Sequence, residues 1–407
     1  MNVLNQKSPP SPLPDHVPAG VVRDVDFFDL ARPGEDAQHG WWRMQQENPD
    51  IFWTSRNGGH WVVTRADLIE QVLNDYERFS NREIMIPRQE NLFANLLYMD
   101  PPDHGPLRKV IMPALTKAAL EKLEDEARKA AIDLLVNMVP RGECEFFSEF
   151  AQVLPIVVFL DMMGLPLEDR HTLLPLVEVV VLGNDVGKRM DARRQLAGYV
   201  QVWIDRRMAN PGPDLISRIA HSDVGDRPIT YEEIANMCVL LLFGGLDTVA
   251  AMISFIARDL ALRPELRRRL IDDPDAMQPA IEEFIRRHGL VNAAREVTRD
   301  TVFAGIELKT GDLVQVPNCL HGLDDRRHAD PLTIDFDRKA PIRHAAFGAG
   351  VHICPGGILA RREIKVFLEE WLKRIPDFSI KEGTVPVTAS GMVNGVKQLH
   401  LVWTSAA

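Results

Sequence analysis

The chain has 407 residues, 45% of them hydrophobic and 26% charged, with a formal net charge of −11. That length exceeds the roughly 250–300 residues one core usually serves, so a large domain with a subregion, or two domains, is expected. The acidic total argues against nucleic acid as the main partner. Four dispersed cysteines (Cys144, Cys238, Cys319, Cys354) without a CxxC pair argue against a disulfide framework or a four-cysteine zinc site.

Residues 1–20 are polar and proline-rich, lack the apolar core of a signal peptide, and predict an extended arm before a single domain over 21–407. A reducing cytoplasm suits the cysteine usage. Ile51–Thr54 and His60–Thr64, flanking Asn57-Gly58-Gly59, predict a β-hairpin. From about 100 to 290 the helical period dominates. Within it, Thr230 and Glu233 form a capping-box pattern that opens a helix running to about Leu262, before Pro264. Such a helix is roughly 48 Å long at about 1.5 Å per residue. Its apolar middle predicts burial. Val239–Leu246 is too short for a membrane span of about 20 apolar residues. Short strands return near 301–316 and in the last 30 residues. The expected fold is mainly α with a smaller β-containing region.

The chemistry concentrates at Phe347-Gly348-Ala349-Gly350-Val351-His352-Ile353-Cys354-Pro355-Gly356. A glycine-rich loop leads to a cysteine, and the spacing of Ile364, Phe367, Leu368, Trp371 and Leu372 predicts a helix behind it. Gly348, Gly350 and Gly356 permit close backbone approach to a flat cofactor. A helix N-terminus lowers a thiol pKa, and N–H groups near Gly356 and Gly357 can tune an iron-bound sulfur. A buried structural cysteine beside a glycine turn is the plainer alternative. Inside the long helix stands Gly244-Gly245-Leu246-Asp247-Thr248. Two mid-helix glycines cost about 1 kcal/mol each and permit a local opening of the hydrogen-bond ladder. Thr248 can bond back to the carbonyl four residues earlier, and an acid beside a hydroxyl makes a plausible proton relay. Close helix packing around a satisfied core threonine is the competing reading.

These stretches, with Asn57-Gly-Gly-His-Trp61, Asp100-Pro-Pro102, Ala360-Arg-Arg-Glu-Ile364 and Arg374-Ile-Pro-Asp-Phe-Ser-Ile380, resemble the cytochrome P450 family across nearly the whole chain. Within that family the resemblance is to the bacterial, ferredoxin-dependent camphor-hydroxylase branch. The resemblance implies haem b, with Cys354 as iron ligand and Phe347, Gly348 and Gly356 shaping its loop. It implies that Gly244 and Gly245 make room for dioxygen, that Thr248 hydrogen-bonds it and that Asp247 helps deliver protons. His104, Arg108, Arg295 and His352 would hold the haem propionates. Glu283, Arg286 and Arg338 would form a structural lock.

The implied activity is insertion of one oxygen atom from O2 into a C–H bond. No flavin, nicotinamide or iron–sulfur motif is present in the sequence, so electrons are expected from an iron–sulfur ferredoxin and its NAD(P)H-dependent reductase. Arg108, Lys109, Lys339 and Arg343 are the expected docking patch. A haem-thiolate sensor and a peroxide-dependent oxygenase are alternatives that would not need the Asp247–Thr248 pair. No membrane contact is expected.

The segment before Asp100-Pro-Pro102 departs from that branch. It is two residues shorter, Leu92 falls nearest the place of a substrate-binding tyrosine, and Tyr98 is displaced; a cation site in this loop is put in doubt. Met85, Leu97, Leu240, Phe243, Val291, Met392 and Val393 predict an apolar substrate pocket with few directional polar contacts. A norisoprenoid of ionone type is expected to fit better than camphor. Leu174 and Leu182 stand where basic partners of Asp247 would be, leaving Arg189 as a substitute partner.

Overall fold

A computed structural model describes residues 8–32, 34–88, 96–182 and 186–404. The side chains of residues 177, 178, 181, 182, 186, 189, 243 and 246 also lie outside the description. The expectations for Leu92, the cation loop, Leu182, Arg189 and the Phe243 side chain therefore fall outside the described residues.

Helices dominate, as the periodicity predicts. The longest is Tyr231–Leu262. The Thr230 side chain accepts from the Glu233 N–H, and the Glu233 carboxylate accepts from the Thr230 N–H at 2.9 Å. This reciprocal cap satisfies donors that the first helical turn leaves free. One uninterrupted α-helix runs through Gly244-Gly245, so no opening of the ladder is seen there. The helix is long and apolar enough to cross a membrane by composition alone, but most of its apolar window is buried inside the fold. It packs against the helices Val153–Met163, Val186–Ala209 and Gly357–Arg374.

The two halves of the long helix feed different cores. Ile234, Met237, Cys238 and Leu242 join a cluster with Leu196, Val200 and Ile216. Val249 to Leu260 join one built on Phe146, Phe150, Phe367 and Trp371. Fully burying a side chain of this size contributes about 1.5–3 kcal/mol. Between the halves lie Gly244 and Gly245, both exposed, with Asp247 and Thr248 only half-buried. The expected burial of the apolar middle holds for Val239, Leu242, Val249 and Ala250, while Gly244, Gly245, Asp247 and Thr248 between them are less covered.

The predicted hairpin pairs Ile51–Thr54 with His60–Val63, placing Trp53 opposite Trp61. Its connection is tight because Asn57, Gly58 and Gly59 all take positive φ (54°, 91° and 80°). A side chain at Gly59 would strike the Trp53 ring. The two strand-forming regions merge into one mixed sheet of six strands. Its order is Val22–Arg23, Ile51–Thr54, His60–Val63, Leu313–Pro317, Asn292–Val297, Phe79–Ser80. Strand Asn292–Val297 was not anticipated, since its residues fall between the helical block, read to about 290, and the strands expected near 301–316. Below it a third core gathers Trp41, Trp61, Phe79 and Val314.

Residues 8–18 lie along this sheet. The Ser8 side chain bonds Asp26, the Ser11 N–H donates to the Ser55 carbonyl, and His16 Nε2 sits 2.9 Å from Asp312.

Candidate active site

Cys354 lies three residues before the helix Gly357–Arg374. Its N–H donates to the Phe347 carbonyl at 2.8 Å, closing the loop on itself. Gly348 and Gly350 adopt positive φ (72° and 65°). For Gly350 the need differs from the one expected. A Cβ there would stand 2.6 Å from the Leu73 carbonyl oxygen, so this glycine seats the loop on the end of helix Ala66–Asn74. Gly356 is the glycine nearest the sulfur, since a Cβ there would be 3.8 Å from Cys354 Sγ.

Cys144, Cys238 and Cys319 are buried, whereas Cys354 is exposed. Desolvation of its recessed sulfur raises the thiol pKa, and the Gly356 and Gly357 N–H groups, Arg108 and Arg361 pull it back. The net direction is upward, so the expected lowering by the helix terminus is outweighed by burial. The donors that would favour a thiolate are nevertheless in place around the sulfur.

Four basic groups meet beside the loop. The His104 and His352 rings lie tilted against each other, at 46° with centroids 4.3 Å apart. His352 Nε2 is buried without a hydrogen-bond partner, and the nearest acid, Asp100, is 3.8 Å away. Arg295 is buried, and among the described residues its Nη1 donates only to the adjacent Ala294 carbonyl, at 2.7 Å. Desolvation lowers its pKa to about 10, with Asp100 opposing. His352 is pushed down to about 3 by burial and by His104, Arg295 and Arg108. Such an excess of desolvated donors over one carboxylate is costly alone and fits added anionic groups. Arg108 is directed differently from the other three. It donates from Nη1 to the Val351 carbonyl at 3.0 Å and from Nη2 to the Ile353 carbonyl, bracing the cysteine loop from helix His104–Ile111.

In the long helix the Thr248 hydroxyl donates back to the Gly244 carbonyl at 3.1 Å, as expected. Space beside Gly244 and Gly245 is open, since a Cβ on either would meet nothing within 4 Å. Burial pushes the Asp247 carboxyl up to about 6, and no hydrogen bond or ion pair offsets it among the described residues.

The expected pocket residues come from three directions. The turn Leu96–Tyr98 and the strand Gly395–Gln398 both contact the long helix, which carries Leu240. Val291 pairs with Val393 in an antiparallel bridge, with Met392 alongside. Met85, Leu240, Val291, Met392 and Val393 are half-buried, and Leu97 is 39% exposed.

Glu283, Arg286 and Arg338 form the expected lock. Both Glu283 oxygens accept from Arg286 at 2.7 Å, and Arg338 Nε approaches them at 3.1 and 3.2 Å. Two supports escaped the sequence reading. Arg361 lies 4.6 Å over the Phe347 ring while its guanidinium grips Glu282 at 2.6 and 2.9 Å. Asp100 accepts from the Asn81 N–H and the Ser80 hydroxyl, holding its charge beside His352. The Asp-Pro-Pro stretch marks Asp100, but nothing local marks its partners.

Geometry of this kind suits haem. A reachable cysteine ringed by N–H donors can ligate iron, unpartnered cations can hold propionates, and two glycines clear space in a helix. Comparison with known proteins agrees. Residues 202–391 match the family model for cytochrome P450. The chain is 34% identical to a probable cytochrome P450 127A1 of Sinorhizobium fredii, over 97% of each chain. It is 31% identical to a mycinamicin IV hydroxylase/epoxidase of Micromonospora griseorubida, over 84% of this chain and 89% of that one. The crystal structure of CYP101J2 superposes with a TM-score of 0.89 at 38% identity, covering 97% of this chain and all of the other. The chain belongs to the cytochrome P450 family of haem-binding monooxygenases.

Proposed function

We propose that the protein hydroxylates a C–H bond of a small apolar terpenoid-type substrate, a norisoprenoid of ionone type in preference to camphor. O2 and electrons from an iron–sulfur ferredoxin, served by an NAD(P)H-dependent reductase, complete the reaction. The observation that carries this reading is the open space beside Gly244 and Gly245, next to a Thr248 hydroxyl and an uncompensated Asp247 carboxyl. Residues 21–407 act as one catalytic domain and residues 1–20 as its arm, in the cytoplasm.

Bound haem supplies the iron that activates dioxygen. Cys354 Sγ would hold that iron, with the Gly356 and Gly357 N–H groups supporting the negative charge on sulfur. His352, Arg295 and His104 would take the propionates, and Arg108 would fix the loop that presents the thiolate. A carboxyl with a pKa near 6 can both give and take a proton close to neutral pH. Asp247 therefore passes a proton inward, and the Thr248 hydroxyl relays it, accepting that proton on Oγ1 as it gives up its own. Apolar walls at Val291, Met392, Val393 and Leu240 exclude water and leave orientation to shape. Exposed Lys109, Lys339 and Arg343, with apolar Ile353 at the cysteine, suit an acidic iron–sulfur partner.

The test is Thr248→Ala in the haem-loaded enzyme, supplied with ferredoxin, reductase and β-ionone. Electron consumption should continue while product falls and peroxide rises. Coupling as tight as in the unaltered enzyme would refute the relay. Titration of the spin state with β-ionone and with camphor tests the substrate. Full conversion by camphor at the lower concentration would refute the preference. A reduced carbon-monoxide complex without the red shift of thiolate ligation would refute Cys354 as ligand.

A further inference from the structure

Behind Val291, Met392 and Val393 lie two asparagines, Asn292 and Asn394, both fully buried. Their side-chain amides bond to one another and to backbone carbonyls, and every partner but two comes from the segments they join. Asn292 Nδ2 donates to the Gly391 carbonyl at 2.7 Å and to Asn394 Oδ1 at 3.1 Å. Asn394 Nδ2 donates to the Gly289 carbonyl at 3.4 Å. The outer partners are the Trp41 indole, which donates to Asn394 Oδ1 at 3.0 Å, and the Cys319 thiol, 3.7 Å from Asn292 Oδ1. Backbone bonds run in parallel: the Asn292 N–H to the Met392 carbonyl at 2.9 Å, and the Asn394 N–H to the Leu290 carbonyl at 2.8 Å.

Residues 391–394 lie in a turn between the short strands Val387–Ala389 and Gly395–Gln398. Residues 288–291 lie between the helix Met277–Arg287 and the strand Asn292–Val297. Neither segment has a regular ladder of its own. What sets Met392 and Val393 against Val291 is the amide pair and the few backbone bonds beside it. Buried, hydrogen-bonded side-chain networks of this kind specify one arrangement more sharply than apolar packing does.

We infer that Asn292 and Asn394 are positioning residues that set the wall of the substrate chamber, and so the carbon that is oxidised, without touching substrate. The inference rests on the reading of Val291, Met392 and Val393 as chamber residues. Apolar walls bind by fit, and a shift of well under a side-chain width alters which C–H bond lies nearest the reacting centre.

The experiment compares the haem-loaded enzyme with Asn394→Ser and Asn292→Ala. Leu135→Ala, which opens a buried site in a different core, controls for lost stability. β-Ionone and camphor are the probes. Backbone hydrogen exchange in residues 391–395 should quicken about tenfold in the asparagine variants, as one lost hydrogen bond predicts. β-Ionone should bind more weakly by a similar factor in the spin-state titration, and its product ratio should broaden. The carbon-monoxide absorption should stay put. Unchanged exchange, unchanged products despite faster exchange, or an equal change of products in Leu135→Ala would each overturn the inference alone. If neither probe moved the spin state of the unaltered enzyme, the chamber reading would fall and the inference with it.

Discussion

His104 and His352 lie with their rings 4.3 Å apart, one on a helix and the other in the cysteine loop, 248 positions further along the chain. Both are held toward the neutral form by desolvation and by the cations around them. With buried Arg295 they form a cluster of hydrogen-bond donors that Asp100, the carboxylate beside it among the described residues, does not fill: it lies 3.8 Å from His352 Nε2. The cluster is therefore prepared for an anion that the polypeptide does not contain.

Arg295→Gln should weaken haem retention. Loss of one charge-assisted contact to a carboxylate costs about 1.5–3 kcal/mol, or roughly ten- to a hundredfold in affinity. Transfer of haem to an excess of apomyoglobin measures it, and transfer at the rate of the unaltered enzyme would count against Arg295 as a propionate partner.

Asp247→Asn should slow turnover by about two orders of magnitude, the usual contribution of a positioned proton donor. The solvent deuterium isotope effect should rise as proton delivery becomes limiting. Burial without a counter-ion places the acid near pH 6, so an asparagine removes the only titrating group of the pair. Unaltered turnover and isotope effect would show that protons arrive by another route.

The lock at Glu283 is a matter of stability. Glu283 and Arg286 are completely buried, so Glu283→Ala strands a guanidinium in the core at about 3–5 kcal/mol. Arg338→Ala should cost less, because Glu283 keeps Arg286. The double variant Glu283→Ala/Arg338→Ala should fall short of the sum of the two. Urea denaturation of the three proteins tests this, and strict additivity would refute a shared network.

His60 provides a pH test away from the cofactor. Burial, only partly offset by Gln315, lowers its pKa to about 4. Its pKa in the unfolded chain is about 6.5. Between these values the unfolded chain binds a proton that the folded one refuses, so stability is full above pH 6.5 and declines as pH falls toward 4. The slope contributed is at most about 1.4 kcal/mol per pH unit. His60→Gln should flatten urea-derived stability over pH 6.5–5. An unchanged slope would mean that His60 does not titrate on unfolding.

What the sequence determined by itself was local or carried by contiguous motifs. The Thr230–Glu233 cap, the hairpin at Asn57-Gly58-Gly59 and the helix behind Cys354 depend on neighbours a few positions apart. The family resemblance rested on short runs such as the cysteine loop. The tertiary structure decided what depends on separation along the chain. It joined Leu313–Pro317 to His60–Val63 in one sheet and brought Asp100 to His352. It laid Arg361 over Phe347 and closed Asn292 on Asn394, 102 positions away. It set which core each half of the long helix feeds. It also overruled one local argument: the Cys354 thiol is raised, because desolvation outweighs nearby N–H groups. Burial is a property of the whole packed chain, and no window of sequence contains it.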